Sequence, residues 1–474
     1  MARIKVRSLH TLTAGLLALA ALAPLPTAPV RAASPHGAAR ANRVDAATSD
    51  PRFGVVEAGS RDAIADSLGV RWTRIPFVWA DVQPTGPGSW NPDYLGSRGS
   101  DAVIDGEVAQ GRSVVGILGG TPAWAQEIPA YGRTSAPANL FKPWDSPANY
   151  WGAYCHRIAR HYAGRIDAWI IYNEVSIPAG MSWTQWRGAM AEYARTLQVA
   201  YLAIHAANPA ARVVMYGDPF WYDHGDYLRK LYPLLHRMDP GDRYHGYFDV
   251  ANLHLYSNPA GMAGMIGWLR GELARYGWVN KQIWVGETNA EPYDDPATPR
   301  PRDNFRVSMG AQSSFMIDAF AELLAARVDR IEVYKMSDGA DSDLGLVDCA
   351  GTLRPFARTY AFMGRLYQGV TDGVVTQGDR VDGKAGIFKV VLRAPGRRIT
   401  VLWNQGGDTR VYRLRLGDPH PVRYTKYGDA MPIAVRSGAY TAVLGGNDDF
   451  TDPYDPRMPV VGGDPVIVVE RTGR

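Results

Sequence analysis

Eight short apolar runs, each followed by a stretch of helical texture, alternate between residues 53 and 369. No other feature of the chain restricts its fold as sharply. Parallel strands need a long crossover, usually a helix. When both faces are covered they read as nearly unbroken apolar segments. The sequence predicts strands at 53–58, 70–77, 113–118, 168–172, 212–216, 248–255, 282–286 and 330–335. Between them it predicts helices at 61–68, 100–110, one opened by Ser146-Pro147, then 183–207, 227–237, 262–276, 304–327 and one entered at Pro355 and ending near Gly369. Ser60 as an N-cap, Gly69 as a stop and Pro at a first turn are the signals used. An open doubly wound sheet shares this alternation, but no Gly-x-Gly-x-x-Gly follows the first run. The expected class is therefore α/β, a (β/α)8 TIM barrel over residues 51–370. Beyond Gly369 helical periodicity stops. Strands are expected at 386–392, 398–403, 411–416, 440–444 and 465–470, so 371–474 reads as a small C-terminal β-sandwich.

The N-terminus reads as processing signal. Arg3, Lys5 and Arg7 precede an apolar stretch from Leu12 to Leu22, and Val30-Arg31-Ala32 suits cleavage. Residues 1–32 are expected to be a secretory signal peptide, which places the protein outside the cell. The apolar stretch is too short to span a bilayer comfortably, so no stable membrane anchor is expected. Residues 33–50, rich in Ala, Ser, Asn and Arg, read as a disordered leader. The formal net charge is +4, and 1–32 carries four bases and no acid. Removing it leaves about zero, so nothing suggests a basic face and no nucleic-acid partner is expected. Cys155 and Cys349 are the two cysteines; they are read as free thiols, with a bridge as the alternative. No Cys-x-x-Cys or His-x-x-x-His spacing offers a zinc site.

Two of the apolar runs end in a glutamate: Ala168-Trp169-Ile170-Ile171-Tyr172-Asn173-Glu174 and Gln282-Ile283-Trp284-Val285-Gly286-Glu287. Barrels keep their chemistry at the C-terminal ends of the strands. Two carboxylates facing each other across a barrel mouth are what cleavage of a glycosidic bond requires. Strand two ends Arg74-Ile75-Pro76-Phe77, and strand six ends His254-Leu255-Tyr256.

These four strand ends resemble those of the clan of retaining glycoside hydrolases built on (β/α)8 barrels. The Arg-Ile-Pro after strand two resembles glycoside hydrolase family 5, the cellulase-like enzymes. The trailing sandwich is more similar to family 39. The resemblance implies a hydrolase of O-glycosyl compounds in an oligo- or polysaccharide, working by double displacement without cofactor or metal. Glu174 would be the acid/base and Glu287 the nucleophile. Asn173 would bond the sugar 2-hydroxyl, Tyr256 would hold Glu287, His254 would line the same wall, and Arg74 would lie beneath Glu287 and favour its ionised form. Trp79 and Trp124 are expected to stack on sugar rings, with Trp90, Trp144, Trp183 and Trp221 as further candidates. Two positions depart from family 5. A His expected after strand three is replaced by Gly119-Gly120-Thr121-Pro122-Ala123-Trp124, and a Trp expected after strand eight by Lys335-Met336-Ser337-Asp338. The sugar, its linkage, and endo or exo action stay open. So do inversion instead of retention, and a non-catalytic carbohydrate-binding barrel.

Overall fold

The computed structural model describes residues 49–97, 99–302, 306–339, 342–377, 386–447 and 461–473. The signal peptide, and the leader up to residue 48, lie outside the described residues. The leader's last two residues depart from expectation. Ser49 and Asp50 are buried, and the Asp50 amide bonds Gly364 O at 3.0 Å. They belong to the fold, because Asp50 also pairs with Arg52 at 2.6 Å.

The eight barrel strands are β1 (Phe53–Val55), β2 (Trp72–Val78), β3 (Ser113–Gly119), β4 (Ile166–Ile171), β5 (Arg212–Val214), β6 (Val250–Tyr256), β7 (Gln282–Asn289) and β8 (Arg330–Val333). All pair in parallel. The ring closes through Phe53 with Ile331 and through Val214 with Val250. Helices α1 (Asp62–Leu68), α2 (Ser100–Ala109), α3 (Tyr150–His161), α4 (Met190–Ala207), α5 (Asp226–Met238), α6 (Met262–Ala274), α7 (Met309–Ala325) and α8 (Pro355–Leu366) connect them.

Three helix starts differ from expectation, each for a local reason. α3 opens at Tyr150, not at Ser146-Pro147, because the Asn149 side chain caps it by accepting from the Gly152 amide at 3.0 Å. α4 opens at Met190, where Glu192 folds back onto the Ala189 amide. α7 opens at Met309, capped by Ser308.

The lower barrel interior is sealed by Trp72, Val115, Ala168, Ile170, Val214, Val250 and Trp284. The Arg330 guanidinium lies over the Trp72 and Trp284 rings, 5.3 and 4.6 Å from their centroids, and pairs with Asp167 at 3.0 Å. That end of the barrel is thereby filled.

The C-terminal region is two antiparallel sheets. Strands β9 (Asp372–Gln377), β10 (Ile387–Ala394), β11 (Arg397–Asn404), β13 (Val422–Tyr424), β14 (Ala430–Met431) and β16 (Val466–Arg471) form one, in the order β9-β10-β11-β16-β13-β14. Strands β12 (Arg410–Arg415) and β15 (Ala439–Leu444) form the other. Leu402, Leu414, Ala442, Leu444, Val466 and Val468 pack between them. The larger sheet's other face joins the barrel's core through Phe388, Val390, Leu392, Ile399, Val401 and Ile467. It lies on α7, in which every residue from 311 to 324 is buried. At the seam the Lys426 ammonium donates to Gly310 O at 2.7 Å and to Asp464 at 2.5 Å.

Candidate active site

β4 ends at Ile171, and the next residues leave it in a sharp turn. Tyr172 and Glu174 both take left-handed backbone, with φ of 60° and 42°. Residues other than glycine seldom hold such angles, and they gather where a side chain has to be aimed. The Tyr172 amide bonds Leu118 O at 2.7 Å and its hydroxyl meets Thr121 Oγ1 at 2.8 Å, which pins the turn. The turn delivers Asn173 and Glu174 to the barrel mouth. Asn173 is buried, and its Oδ1 has no hydrogen-bond partner.

β7 aims the second glutamate by another device. Its register slips against β6 between Leu253 and His254, and against β8 between Ile331 and Val333. Both slips fall around Gly286. Trp284 points into the barrel, so strict alternation would turn Glu287 outward. The bulge inserts one residue and turns it inward. The Gly286 amide donates to Asn252 Oδ1 at 2.9 Å, and a Cβ at 286 would sit 2.6 Å from that oxygen. Only glycine leaves Asn252 its place.

The two strand ends then converge. Arg74 Nη2 donates to Glu287 Oε1, and the Tyr256 hydroxyl donates to Glu287 Oε2 at 2.6 Å. His254 Nδ1 lies 2.8 Å from Glu174 Oε1 and 3.4 Å from Glu287 Oε2. The imidazole is fully buried, and its Nε2 abuts Gly217, where a Cβ would lie 1.8 Å away. One oxygen of each carboxylate and His254 Nδ1 all lie within 4.8 Å of one another. Such a set could hold a divalent ion. Against that, both Glu287 oxygens are already committed to Arg74 and Tyr256, and the guanidinium repels a further cation.

The electrostatics separate the two glutamates. Burial alone would push the Glu287 carboxyl up. His254, Arg74 and the hydrogen bonds from Tyr256 and Arg74 outweigh that and hold it below the usual carboxylate range. Burial and the Glu287 charge push the Tyr256 phenol well up, so it stays a donor. Among the described residues the Glu174 carboxylate makes one side-chain hydrogen bond, with His254.

Six of the eight expected site residues therefore lie together: Glu174, Glu287, Asn173, Tyr256, His254 and Arg74. Arg74 sits behind Glu287, where it orients the carboxylate. Trp79 is a correction. It is fully buried, stacked on Tyr154 at 5.2 Å, with its indole N–H on Gln83 Oε1. It presents no face to a ligand, because the loop after β2 folds it inward. Trp124 is half-buried, edge-on to Trp79 at 5.6 Å, and its N–H bonds Gln83 O at 2.9 Å. Trp90 lies under Arg157, Trp144 and Trp183 are half-buried, and Trp221 is exposed. Cys155 is buried, Cys349 is exposed, and both are free.

Tyr334 escaped the sequence reading. It follows β8 directly, its ring lies 6.5 Å from that of Tyr256, and burial and the Glu287 charge push its phenol up. Its carbonyl accepts from Asn289 at 2.6 Å, which ties the ends of β7 and β8 together. The signal was an aromatic at the strand end, one residue before Lys335.

No protein-family model matches the sequence, and no curated protein matches it. Solved structures do resemble it. A family 39 glycoside hydrolase from Bacteroides cellulosilyticus superposes with a TM-score of 0.64 at 13% identity, over 90% of this chain and 82% of that one. A glucosidase from Croceicoccus marinus gives 0.57 at 14% identity, over 90% and 96%. A family 30 endoxylanase from Clostridium papyrosolvens gives 0.54 at 14% identity, over 90% and 97%. At these identities the likeness is one of architecture: the chain has the (β/α)8 barrel fold seen in these glycoside hydrolases.

Proposed function

We propose that the protein is a retaining glycoside hydrolase acting on a poly- or oligosaccharide by double displacement. One observation carries the reading. Two glutamates from the ends of β4 and β7 approach within 4.8 Å, oxygen to oxygen, in unlike surroundings. Inverting enzymes keep their carboxyl groups roughly 6.5–9.5 Å apart to admit a water, and retaining enzymes about 5–5.5 Å. Glu287, held ionised by Arg74 and Tyr256, attacks the anomeric carbon and forms the glycosyl-enzyme. Glu174 protonates the leaving oxygen, then takes a proton from the water that releases the sugar. His254 Nδ1 spans both carboxylates and fixes their orientation in the two half-reactions. The unpartnered Asn173 Oδ1 is free to accept from a sugar hydroxyl. The named activities of the structurally similar hydrolases favour a carbohydrate substrate. The basic and apolar character of residues 3–22 favours export.

Azide tests the two roles. With an activated aryl glycoside, azide restores turnover to Glu174→Ala and gives a glycosyl azide of retained configuration. With Glu287→Ala the rescued product has inverted configuration, since the anion replaces the nucleophile. Swapped configurations overturn the assignment of roles, and rescue of neither variant leaves a carbohydrate-binding barrel as the better reading.

A further inference from the structure

Beneath the two glutamates lies a third carboxyl group that the mechanism above does not use. Glu332 is on β8, one interior position above the Arg330 that plugs the barrel floor. It is fully buried, and neither of its oxygens has a hydrogen-bond partner of good geometry. Its Oε2 lies 3.7 Å from Arg74 Nε, close enough for attraction and too far for a hydrogen bond. Arg74 meanwhile spends Nη2 on Glu287, while its buried Nη1 has no partner. A guanidinium with spare donors thus stands beside a carboxyl group with two spare acceptors. The bidentate pair that arginine favours with a carboxylate is one small displacement away and is not made.

A neutral Glu332 accounts for this. Burial pushes its carboxyl up to about 8, against the pull of Arg74 and with a further push from Glu287. The charged or titratable groups around it are Arg74 from β2, Glu287 from β7, Arg330 on its own strand and the Tyr360 phenol on α8 behind it. Arg74 stays charged throughout, because the two glutamates more than offset its burial.

We propose that Glu332 is a positioning residue for the nucleophile: carrying its proton, it leaves Arg74 to Glu287, and having lost it, it draws Arg74 away. This rests on reading Glu287 as the nucleophile. The only bond broken is the Glu332 O–H, whose proton leaves to solvent. The hydrogen bond from Arg74 Nη2 to Glu287 is exchanged for a fork onto Glu332. Glu287 then keeps Tyr256 and loses the contact that fixes its other oxygen. The enzyme therefore carries an alkaline limit independent of the acid/base residue.

The test removes that residue's own titration. In Glu174→Ala with azide and an activated aryl glycoside, turnover is expected to fall with a midpoint near pH 8. Adding Glu332→Gln, which mimics the protonated group, moves the fall upward by about one pH unit or more. Glu332→Met, of similar length and without a proton, does the same should the Gln variant not fold. An unmoved midpoint in the folded double variant, or no alkaline fall in Glu174→Ala, overturns the proposal. Crystal structures of the unmodified protein at about pH 6 and about pH 9.5 read the same switch without turnover. Arg74 is expected on Glu287 in the first and on Glu332 in the second. An Arg74 that stays on Glu287 overturns the proposal even if the azide products support the assigned roles. Swapped azide products with a moving Arg74 overturn the role assignment alone.

Discussion

The barrel mouth and the seam under the sandwich solve opposite problems. At the mouth, polar groups are crowded together and left partly unmatched. Asn173 Oδ1, Arg74 Nη1, His254 Nε2 and both Glu332 oxygens are buried without hydrogen-bond partners. Each such group costs about 1–3 kcal/mol of folding free energy. At the seam, α7 is buried on every side from 311 to 324, and a lysine that enters from the sandwich finds acceptors waiting. One region keeps bonding capacity open for a ligand. The other gives up accessibility for packing, and the buried unmatched polar atoms on α7 are fewer: Gln312 Oε1 and the two Asp318 oxygens.

The sharpest way to break this contrast is to alter each region and read both activity and melting. Glu287→Gln is expected to abolish turnover of every glycoside. Glu174→Ala is expected to lose roughly 10²–10⁴-fold on substrates with poor leaving groups and far less on activated ones. Glu174→Ala should melt close to the unmodified temperature, whereas Glu287→Gln should melt lower, since it leaves the buried Arg74 guanidinium without its ion pair. Early melting of both would show that the mouth holds the fold together. A chain ended at Gly369 should fail in the complementary way, insoluble or far less stable although it retains both glutamates. A soluble, fully active chain 1–369 with unchanged melting would erase the distinction.

A smaller effect comes from Glu322 on α7, whose carboxylate accepts from the Ala263 amide at the start of α6. Burial pushes it from 4.5 to about 7, against those amide bonds. A raised carboxyl binds its proton more tightly when folded, so its contribution is complete below about 4.5 and is lost as pH rises through about 7. Urea unfolding at about pH 5 and pH 8 should differ by on the order of 3 kcal/mol, and Glu322→Gln should shrink the gap. An equal gap in the variant would assign the pH dependence elsewhere. The smallest effect is Tyr256→Phe, which removes one of the two groups gripping Glu287. Loss of roughly tenfold in kcat is expected, with KM and melting nearly unchanged. A change confined to KM would make Tyr256 a substrate contact.

Much of this was legible in the sequence, for a physical reason. Buried parallel strands leave unbroken apolar runs, so a charged residue closing such a run stands out, as Glu174 and Glu287 do. Residues whose role is set by a partner far away in sequence did not stand out. Glu332 reads as one polar residue in a short strand, and nothing local says that it meets Arg74, more than two hundred residues earlier. Trp79 misled because a tryptophan after a strand end looks alike whether its loop opens outward or folds in. β9 passed unseen because Asp372-Gly373 opens it as a turn would, and its pairing with β10 is what makes it a strand. The start of α4 was misplaced because Trp183 to Gly188 continues the helical pattern, while the actual start is set by Glu192 reaching the Ala189 amide.

The position of β16 bears on the timing of synthesis. It is the last strand among the described residues, yet it lies inside the larger sheet, between β11 and β13. Until it emerges from the ribosome that sheet is split, and α7 has no complete roof. More than a hundred residues separate α7 from β16, so at about 5–20 residues per second the bare helix face waits for several seconds or longer. A nascent chain is thus sticky on one flank while its future reaction centre is already encoded. Chains stalled before residue 466 should be cut by protease in α7, and chains in which β16 has fully emerged from the ribosome should not.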